Sequence, residues 1–336
     1  MKEKLPFVTV GVIAKNEAEY IEETINSILK SNYPKNKYEV LIVDGNSVDG
    51  TQELIKKLMK TTTKIKLFVE PWKSGTHGRA RNYVADNAKG DYIAFTDGDC
   101  VVDKNWLKTL VESIEKERKQ DKMVVAVGGI RTPVKSNKWK ENLINYMLTT
   151  FFGCGGSNGF MQTNKKYVQY IPNYNAVYLT KIIRKIRYSD DLSIGEDYEF
   201  NLRLNKLNYK IVFNKKVIIY HHQEDSIKEF VKQMYNYGKA HIKIYRKIKK
   251  VRYFDIISLL FVLGFFIGLI LSFFILPLLK IYTSILVFYF LLDLTFTIQL
   301  LFKLKRAYIL MATFIYPIQH ISYGVGVMIG LINLIN

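Results

Sequence analysis

The sequence predicts an α/β domain on a mostly parallel sheet, followed by about three helices that cross a membrane. Three observations carry that reading. Short, apolar, β-branched runs alternate with amphipathic stretches from Phe7 to Phe95, at the spacing of βαβ units. Charges are spread through residues 1 to about 250, whereas the chain from about residue 256 onward is mostly apolar. Between them, Lys239 to Arg252 carries seven Lys or Arg and no acid, the pattern of a cytoplasmic flank beside anionic headgroups.

The elements follow in order. Phe7 to Ile13 is short, apolar and β-branched, as suits a buried parallel strand. Asn16 with Glu19 three residues later resembles a capping box, and Ile21, Ile25, Ile28 and Leu29 supply the buried stripe of the helix. Tyr38 to Val43 is a second strand closed by Asp44-Gly45, after which Asp49 is placed to cap a helix with Leu54 and Leu58 facing inward. Ile65 to Val69 is strand three, Gly78 to Ala88 a helix and Tyr92 to Phe95 strand four. Ligands of such sheets bind beyond the carboxyl ends of the strands, which directs attention to Asn16, Glu17, Asp44 and the segment Asp97 to Asp99.

The apolar stretch at the N-terminus is only about eight residues long and lacks a small-residue cleavage site, so no secretion of this part is expected. Cys100 and Cys154 lack metal-ligand spacing and form no disulfide framework, so both are expected as free thiols. The formal charge of +19 raises nucleic acid as a partner. No nucleic-acid-binding motif accompanies the charge, and a membrane surface is the preferred partner.

Ile256 to Leu279 is uncharged for 24 residues, enough to cross the hydrocarbon as a helix. Ile281 to Phe302 and Ala307 to Ile332 are two further runs. The first link holds Lys280 and the second Lys303, Lys305 and Arg306. Placing the basic sides inside puts residues 1 to 255 and the second link in the cytoplasm. A re-entrant or interfacial run remains an alternative to a full span. Asp293, within the second run, should face protein or a water-lined cavity. The expected divisions are 1–228 for the α/β domain, 229–255 for an amphipathic, basic interfacial helix and 256–336 for the membrane domain.

Tyr92 to Cys100, YIAFTDGDC, runs an apolar strand into two carboxylates separated by one glycine. Asp97 and Asp99 share a side while the chain stays extended, and Gly98 leaves room for a ligand against the backbone. Two hard oxygen ligands suit Mg²⁺ or Mn²⁺ completed by diphosphate oxygens. The alternative is a turn whose Asp side chains bond backbone amides.

Taken together, VGVIAKNEAEYIEETINSIL, VDGNSVDGT, GRARN, GDYIAFTDGDC, the GED at 195–197 and HH followed by QMYNYGKA resemble family 2 glycosyltransferases of the Rossmann-like GT-A fold. The likeness is to bacterial and archaeal members that assemble polysaccharides or lipid-linked sugars. It implies a UDP- or GDP-sugar donor. Asp44 matches the acid that recognises the nucleotide base, Glu17 lies near the ribose, Arg81 helps hold the nucleotide, and Asp97, Gly98 and Asp99 form the metal–diphosphate motif. The resemblance assigns the general base of an inverting transfer to the second acid of Glu196-Asp197, hence Asp197. One of His221 and His222, with His221 preferred, completes the metal shell or contacts diphosphate. The helix around Gln233, Tyr237, Gly238 and Lys239 stands where processive members carry Q-x-x-R-W, which this sequence lacks.

Phe151 to Phe160, FFGCGGSNGF, is glycine-rich and is expected as a mobile loop near the acceptor site, with a passive linker as its alternative. Upstream, Trp139 to Phe152 is amphipathic enough to graze a membrane, and Pro172 to Ala176 precedes another strand. The implied reaction moves one sugar to a membrane-proximal acceptor, such as a polyprenyl or dolichyl phosphate or a lipid-linked glycan. Polysaccharide chain extension and an inactive membrane scaffold of the same fold are the alternatives. A dinucleotide oxidoreductase would need a G-x-G-x-x-G after the first strand, which is missing. Oligomeric state is left open.

Overall fold

The computed structural model describes residues 5–71, 75–157, 159–160 and 163–335. It divides into two compact units, residues 1–132 with 162–222 and residues 133–161 with 223–336. The expected boundaries at 228 and 255 differ from this division: the break falls after His222, and residues 223–255 are not set apart from the apolar helices. Residues 133–161 group with the C-terminal helices, not with the α/β domain.

The first unit is a nine-stranded mixed sheet. Strands β1 (Val8–Ala14), β2 (Tyr38–Asp44), β3 (Ile65–Val69) and β4 (Tyr92–Asp97) lie in the order β3-β2-β1-β4, all parallel. The remaining strands are β5 (Cys100–Val102), β6 (Val124–Pro133), β7 (Tyr167–Val168), β8 (Ala176–Leu179) and β9 (Lys210–His221). They extend the sheet in the order β8-β6-β9-β5, with β7 on β9. The pairs β4–β8, β8–β6, β5–β9 and β7–β9 are antiparallel. Every position of β1 and β2 is buried, because helices cover both faces of a parallel sheet and leave no polar side.

Helices α1 (Ile21–Leu29), α2 (Thr51–Met59) and α3 (His77–Asn87) connect the parallel strands. Ile21, Ile25 and Ile28 are fully buried, as the pattern predicted. The capping is not as expected. Asn16 adopts φ 58° and α1 begins at Ile21, so Asn16 and Glu19 form no capping box. Asp49 sits one residue before the cap of α2, which is Gly50, yet its Oδ1 still accepts the first helical N–H, from Thr51, at 3.1 Å. Helices α4 (Trp106–Gln120), α7 (Thr180–Ile186) and α8 (Glu196–Lys206) complete this unit. Phe200 and Leu204 bury the inner stripe of α8, whereas Leu207 lies past its end and is exposed.

The second unit contains α5 (Trp139–Met147), α6 (Phe151–Cys154), α9 (Ile227–Ile248), α10 (Tyr253–Ser272), α11 (Leu276–Leu304) and α12 (Ala312–Ile335). Three helical stretches, Tyr253–Ser272, Leu276–Leu304 and Ala307–Leu334, are long and apolar enough to cross a membrane. Leu260, Phe288 and Phe302 are exposed along them, apolar surface that suits lipid tails rather than water. The first break falls at 273–275 instead of at Lys280. Pro277 occupies the first turn of α11, where its missing N–H costs nothing, and Lys280 lies one turn further inside. Asp293 is buried and accepts from Thr297 Oγ1 at 3.2 Å, the protein-facing placement expected of it.

Leu143, Ile144 and Met147 of α5 share a core with Phe230 and Met234 of α9 and with Ile309, Ala312, Ile315 and Tyr316. Phe151–Cys154 is a helical turn capped by Thr150. Phe152 is ringed by Tyr289, Phe296, Tyr316 and His320. The expected mobile loop is therefore packed over its first half. Asn158, in its second half, lies outside the described residues.

Candidate active site

The carboxyl ends of β1, β2 and β4 bring the predicted residues to one edge of the sheet. Asp44, the last residue of β2, is fully buried. Its carboxylate accepts the Ser47 N–H at 2.9 Å, the Ser47 hydroxyl and Gln52 Nε2 at 2.8 Å. Asn16 and Glu17 are knitted to the same turn. The Asn16 N–H donates to Ser47 Oγ at 2.8 Å, the Val48 N–H donates to Asn16 Oδ1 at 3.0 Å, and the Glu17 N–H donates to Thr51 Oγ1 at 2.8 Å. The end of β1 and the β2–α2 turn thus form one hydrogen-bonded rim.

The two aspartates of D-x-D part company. Asp97 ends β4 and accepts from Arg81 Nη2 at 3.1 Å. The chain then turns, so the extended geometry that would set Asp97 and Asp99 side by side is absent. Gly98 is what allows the turn. Its N–H reaches the Ile13 carbonyl at 3.0 Å and its own carbonyl accepts from Thr24 Oγ1 at 2.8 Å. A Cβ at this position would lie 2.9 Å from Glu17 Cγ and 3.0 Å from Ala14 Cβ. Gly98 therefore makes room for β1 and the Glu17 side chain. Past the turn, Asp99 joins Cys100 and His221, whose ligand atoms lie within 4.8 Å of one another. Asp97 is not in that group. His221 Nδ1 meets the His222 carbonyl oxygen, which leaves Nε2 facing Asp99 Oδ1 at 3.7 Å. A ring nitrogen fixed by a backbone carbonyl, with the other nitrogen presented to a carboxylate, is the arrangement of a ligating imidazole. These residues fit a divalent cation. His222 instead stacks on Tyr20, ring centroids 4.0 Å apart.

Arg81 links the two acidic sites. It is buried on α3, donates through Nε to Glu196 Oε1 at 3.0 Å as well as to Asp97, and lies over the Phe95 ring. Burial disfavours its charge, but the carboxylates of Asp97 and Glu196 outweigh this and hold it cationic. Burial raises the pKa of Glu196, with Arg81 pulling it back. Asp197, the next residue, is half-buried. Its pKa is pushed up to about 7, by burial first and by the Glu196 charge second. Tyr170 Oη donates to Asp197 Oδ2 at 3.0 Å, the Asn173 N–H to the same oxygen at 3.3 Å, and the Tyr198 N–H to Oδ1 at 2.7 Å.

Several residues here were not singled out by the sequence reading. Asn82 fastens α3 to the segment leading to α8. Its Nδ2 donates to the Tyr188 carbonyl at 2.9 Å and to Asp190 Oδ1 at 2.7 Å, and its Oδ1 accepts the Tyr188 N–H at 2.9 Å. Tyr170 gave no signal beyond ordinary composition, and Cys100, expected as a free thiol without metal-ligand spacing, is brought beside His221 by the pairing of β5 with β9. Asn82 stood in plain view beside Arg81 in GRARN, and a buried polar side chain on a helix facing the site was its only clue.

The profile of "Glycosyl transferase family 2" matches residues 9–187, more than half of the chain. A Methanococcus voltae protein named dolichyl N-acetyl-alpha-D-glucosaminyl phosphate 3-beta-D-2,3-diacetamido-2,3-dideoxy-beta-D-glucuronosyltransferase is 28% identical over 327 residues, covering 95% of each chain. Glycosyltransferase AglE of Haloferax volcanii is 38% identical over 114 residues, 34% of this chain and 37% of that protein. Among solved structures, the fold resembles that of a Pyrobaculum calidifontis mannosyltransferase in complex with GDP-Man and Mn²⁺. The TM-score is 0.56 at 19% identity, over 74% of this chain and 66% of that one. With a GT-A fold, a family profile over its sheet and three apolar C-terminal helices, the chain belongs to glycosyl transferase family 2.

Proposed function

We propose that the protein is an inverting glycosyltransferase that moves a sugar from a UDP- or GDP-sugar to a hydroxyl of a lipid-linked acceptor. The observation that carries this reading is the Asp197 carboxylate, whose pKa near 7 suits a general base at neutral pH. A lipid phosphate would need little deprotonation, whereas a sugar hydroxyl needs a base. The Methanococcus voltae relative is named for transfer to a dolichyl-phosphate-linked sugar, and its similarity runs through the apolar helices as well as the sheet.

In this reading Asp197 takes the acceptor's hydroxyl proton as that oxygen bonds to the anomeric carbon, and the bond from carbon to the diphosphate oxygen breaks on the opposite side. The nucleoside diphosphate leaves with the bonding pair. Tyr170 and the Asn173 N–H aim the Asp197 carboxylate, and Arg81 balances Glu196 and Asp97 so that the local charge does not repel the diphosphate. Asp44, Asn16 and Glu17 form the rim against which the nucleoside lies. Asp99 and His221 would hold Mg²⁺ or Mn²⁺, which supplies charge neutralisation for the departing diphosphate when bound. The basic run from Lys239 to Arg252 and the basic link at Lys303, Lys305 and Arg306 support a cytoplasmic active site.

The test is thermal unfolding of the detergent-purified protein with UDP or GDP, with and without Mn²⁺, followed by transfer assays on polyprenyl-phosphate-linked sugars. A nucleotide at about a hundred times its dissociation constant adds about 2.7 kcal/mol. Stabilisation by neither nucleotide in folded protein would refute the donor assignment. Transfer to the bare polyprenyl phosphate but not to its sugar-bearing form would refute the acceptor. For topology, single cysteines at Lys280 and Lys305 should be labelled by impermeant maleimide from outside and only after lysis, respectively. The reverse pattern inverts the orientation.

A further inference from the structure

Asp99, Cys100 and His221 form a ligand set whose chemistry differs from that of a pair of carboxylates. Cys100 and His221 are direct partners in the antiparallel ladder of β5 and β9. Such partners project to the same face of the sheet, with Cβ atoms about 4.5–5.5 Å apart. The Asp99 carbonyl accepts the His222 N–H at 3.1 Å, so the turn that carries Asp99 is fastened to the strand that carries the histidine. The Cys100 thiol donates to Asp99 Oδ1 at 3.5 Å, a bond that a cation would replace, and His221 Nε2 lies 3.7 Å from the same oxygen. Bonds of about 2.0–2.3 Å to a tetrahedral cation give edges of roughly 3.3–3.8 Å between ligand atoms. Both separations fall in that interval, and the second is too long for a hydrogen bond.

We infer that Cys100 is a third protein ligand, and that the site takes thiophilic divalent cations, Zn²⁺, Co²⁺ or Cd²⁺, more tightly than Mn²⁺ or Mg²⁺. This rests on the assignment of Asp99 and His221 as metal ligands. Sulfur and imidazole are soft and borderline donors that favour Zn²⁺ and its neighbours, while Mg²⁺ and Mn²⁺ gain little from sulfur. Coordination makes one sulfur–metal bond and releases the thiol proton to solvent, with no change of oxidation state. Three protein ligands leave one tetrahedral position open to a diphosphate oxygen. Burial of Cys100 keeps bulky thiol reagents out while a small ion arrives along the partly open Asp99 side.

The experiment uses the full chain in detergent, with Cys154→Ser removing the only other thiol. Titration with Co²⁺ should produce a thiolate-to-cobalt charge-transfer band in the near ultraviolet, abolished by Zn²⁺. Cys100→Ser and Cys100→Ala should lack the band and bind Zn²⁺ at least about tenfold more weakly. Mn²⁺ affinity, read by electron paramagnetic resonance, should fall by less than Zn²⁺ affinity. Co²⁺ binding without the band overturns the inference, as do equal Zn²⁺ affinities with and without Cys100 or failure of both ions to bind. The spectrum of the parent protein decides even where a variant fails to fold. The band together with no response to UDP or GDP would sink the donor reading and leave this inference standing. Stabilisation by nucleotide and Mn²⁺ without the band would do the opposite.

Discussion

Arg81 and Glu196, 115 positions apart in the chain, form a buried ion pair with Nε 3.0 Å from Oε1 and side chains only 3% and 5% exposed. A charge so placed is tolerated only with its partner, because desolvation costs each ion several kcal/mol. Arg81→Met should therefore destabilise the protein by about 3–5 kcal/mol, the range for breaking one half of a buried pair. Adding Glu196→Gln to that variant should restore part of the loss by removing the orphaned charge. Thermal and urea unfolding measure both. An Arg81→Met protein as stable as the parent would show that the pair is not formed.

Asp197 makes activity depend on pH in a defined direction. A general base works when ionised, so kcat/KM should fall as pH drops through about 7 and level off above it. Because Glu196 is adjacent, the observed value belongs to the pair of acids. The sign for stability is opposite. The folded pKa lies above the unfolded value of about 3.9, so this group's contribution is full below that value and is lost as pH rises through about 7. A rate profile flat from pH 5 to about 9, on chemistry-limited turnover, would remove Asp197 from the role of base.

Asp197→Asn preserves shape and removes the proton acceptor. Donor nucleotide should still stabilise the protein, while kcat falls by about 10²–10⁴. Tyr170→Phe is the milder companion. It deletes one donor to Asp197 Oδ2, which raises the acid's pKa and should move the acidic limb of the rate profile to higher pH. A fall in kcat with an unmoved limb would give Tyr170 a different job.

The sequence reveals the parallel half of the sheet with good boundaries because β1, β2 and β4 are each buried along their own apolar run, while β3, at the sheet edge, buries Ile65. Asp44 and Asp97 were legible for the same reason, being polar residues that end such runs. The rest depends on contacts between distant parts of the chain. Whether Asp97 and Asp99 share a ligand is decided by the turn at Gly98 closing on Ala14 and Glu17, and local spacing holds no trace of it. Cys100 became a candidate ligand only once β9 lay beside β5. Likewise Trp139 to Cys154 reads as a segment of the α/β domain, and only its packing against Phe230, Met234 and Tyr316 shows which unit owns it.

Asn82 offers the test of how the acidic pair is positioned. Its side chain makes three hydrogen bonds to the 188–190 segment, which leads by a short path to Gly195 and the first turn of α8. Asn82→Leu keeps the volume and strips these bonds, leaving the Tyr188 N–H and carbonyl without their partner. Each buried group so stranded costs about 1–3 kcal/mol, so a clear drop in melting temperature is expected. If the segment also sets Glu196 and Asp197, kcat should fall while nucleotide binding at the Asp44 rim persists, because that rim is built from β1, β2 and α2. Loss of stability with kcat unchanged in the surviving folded fraction would confine Asn82 to holding the fold.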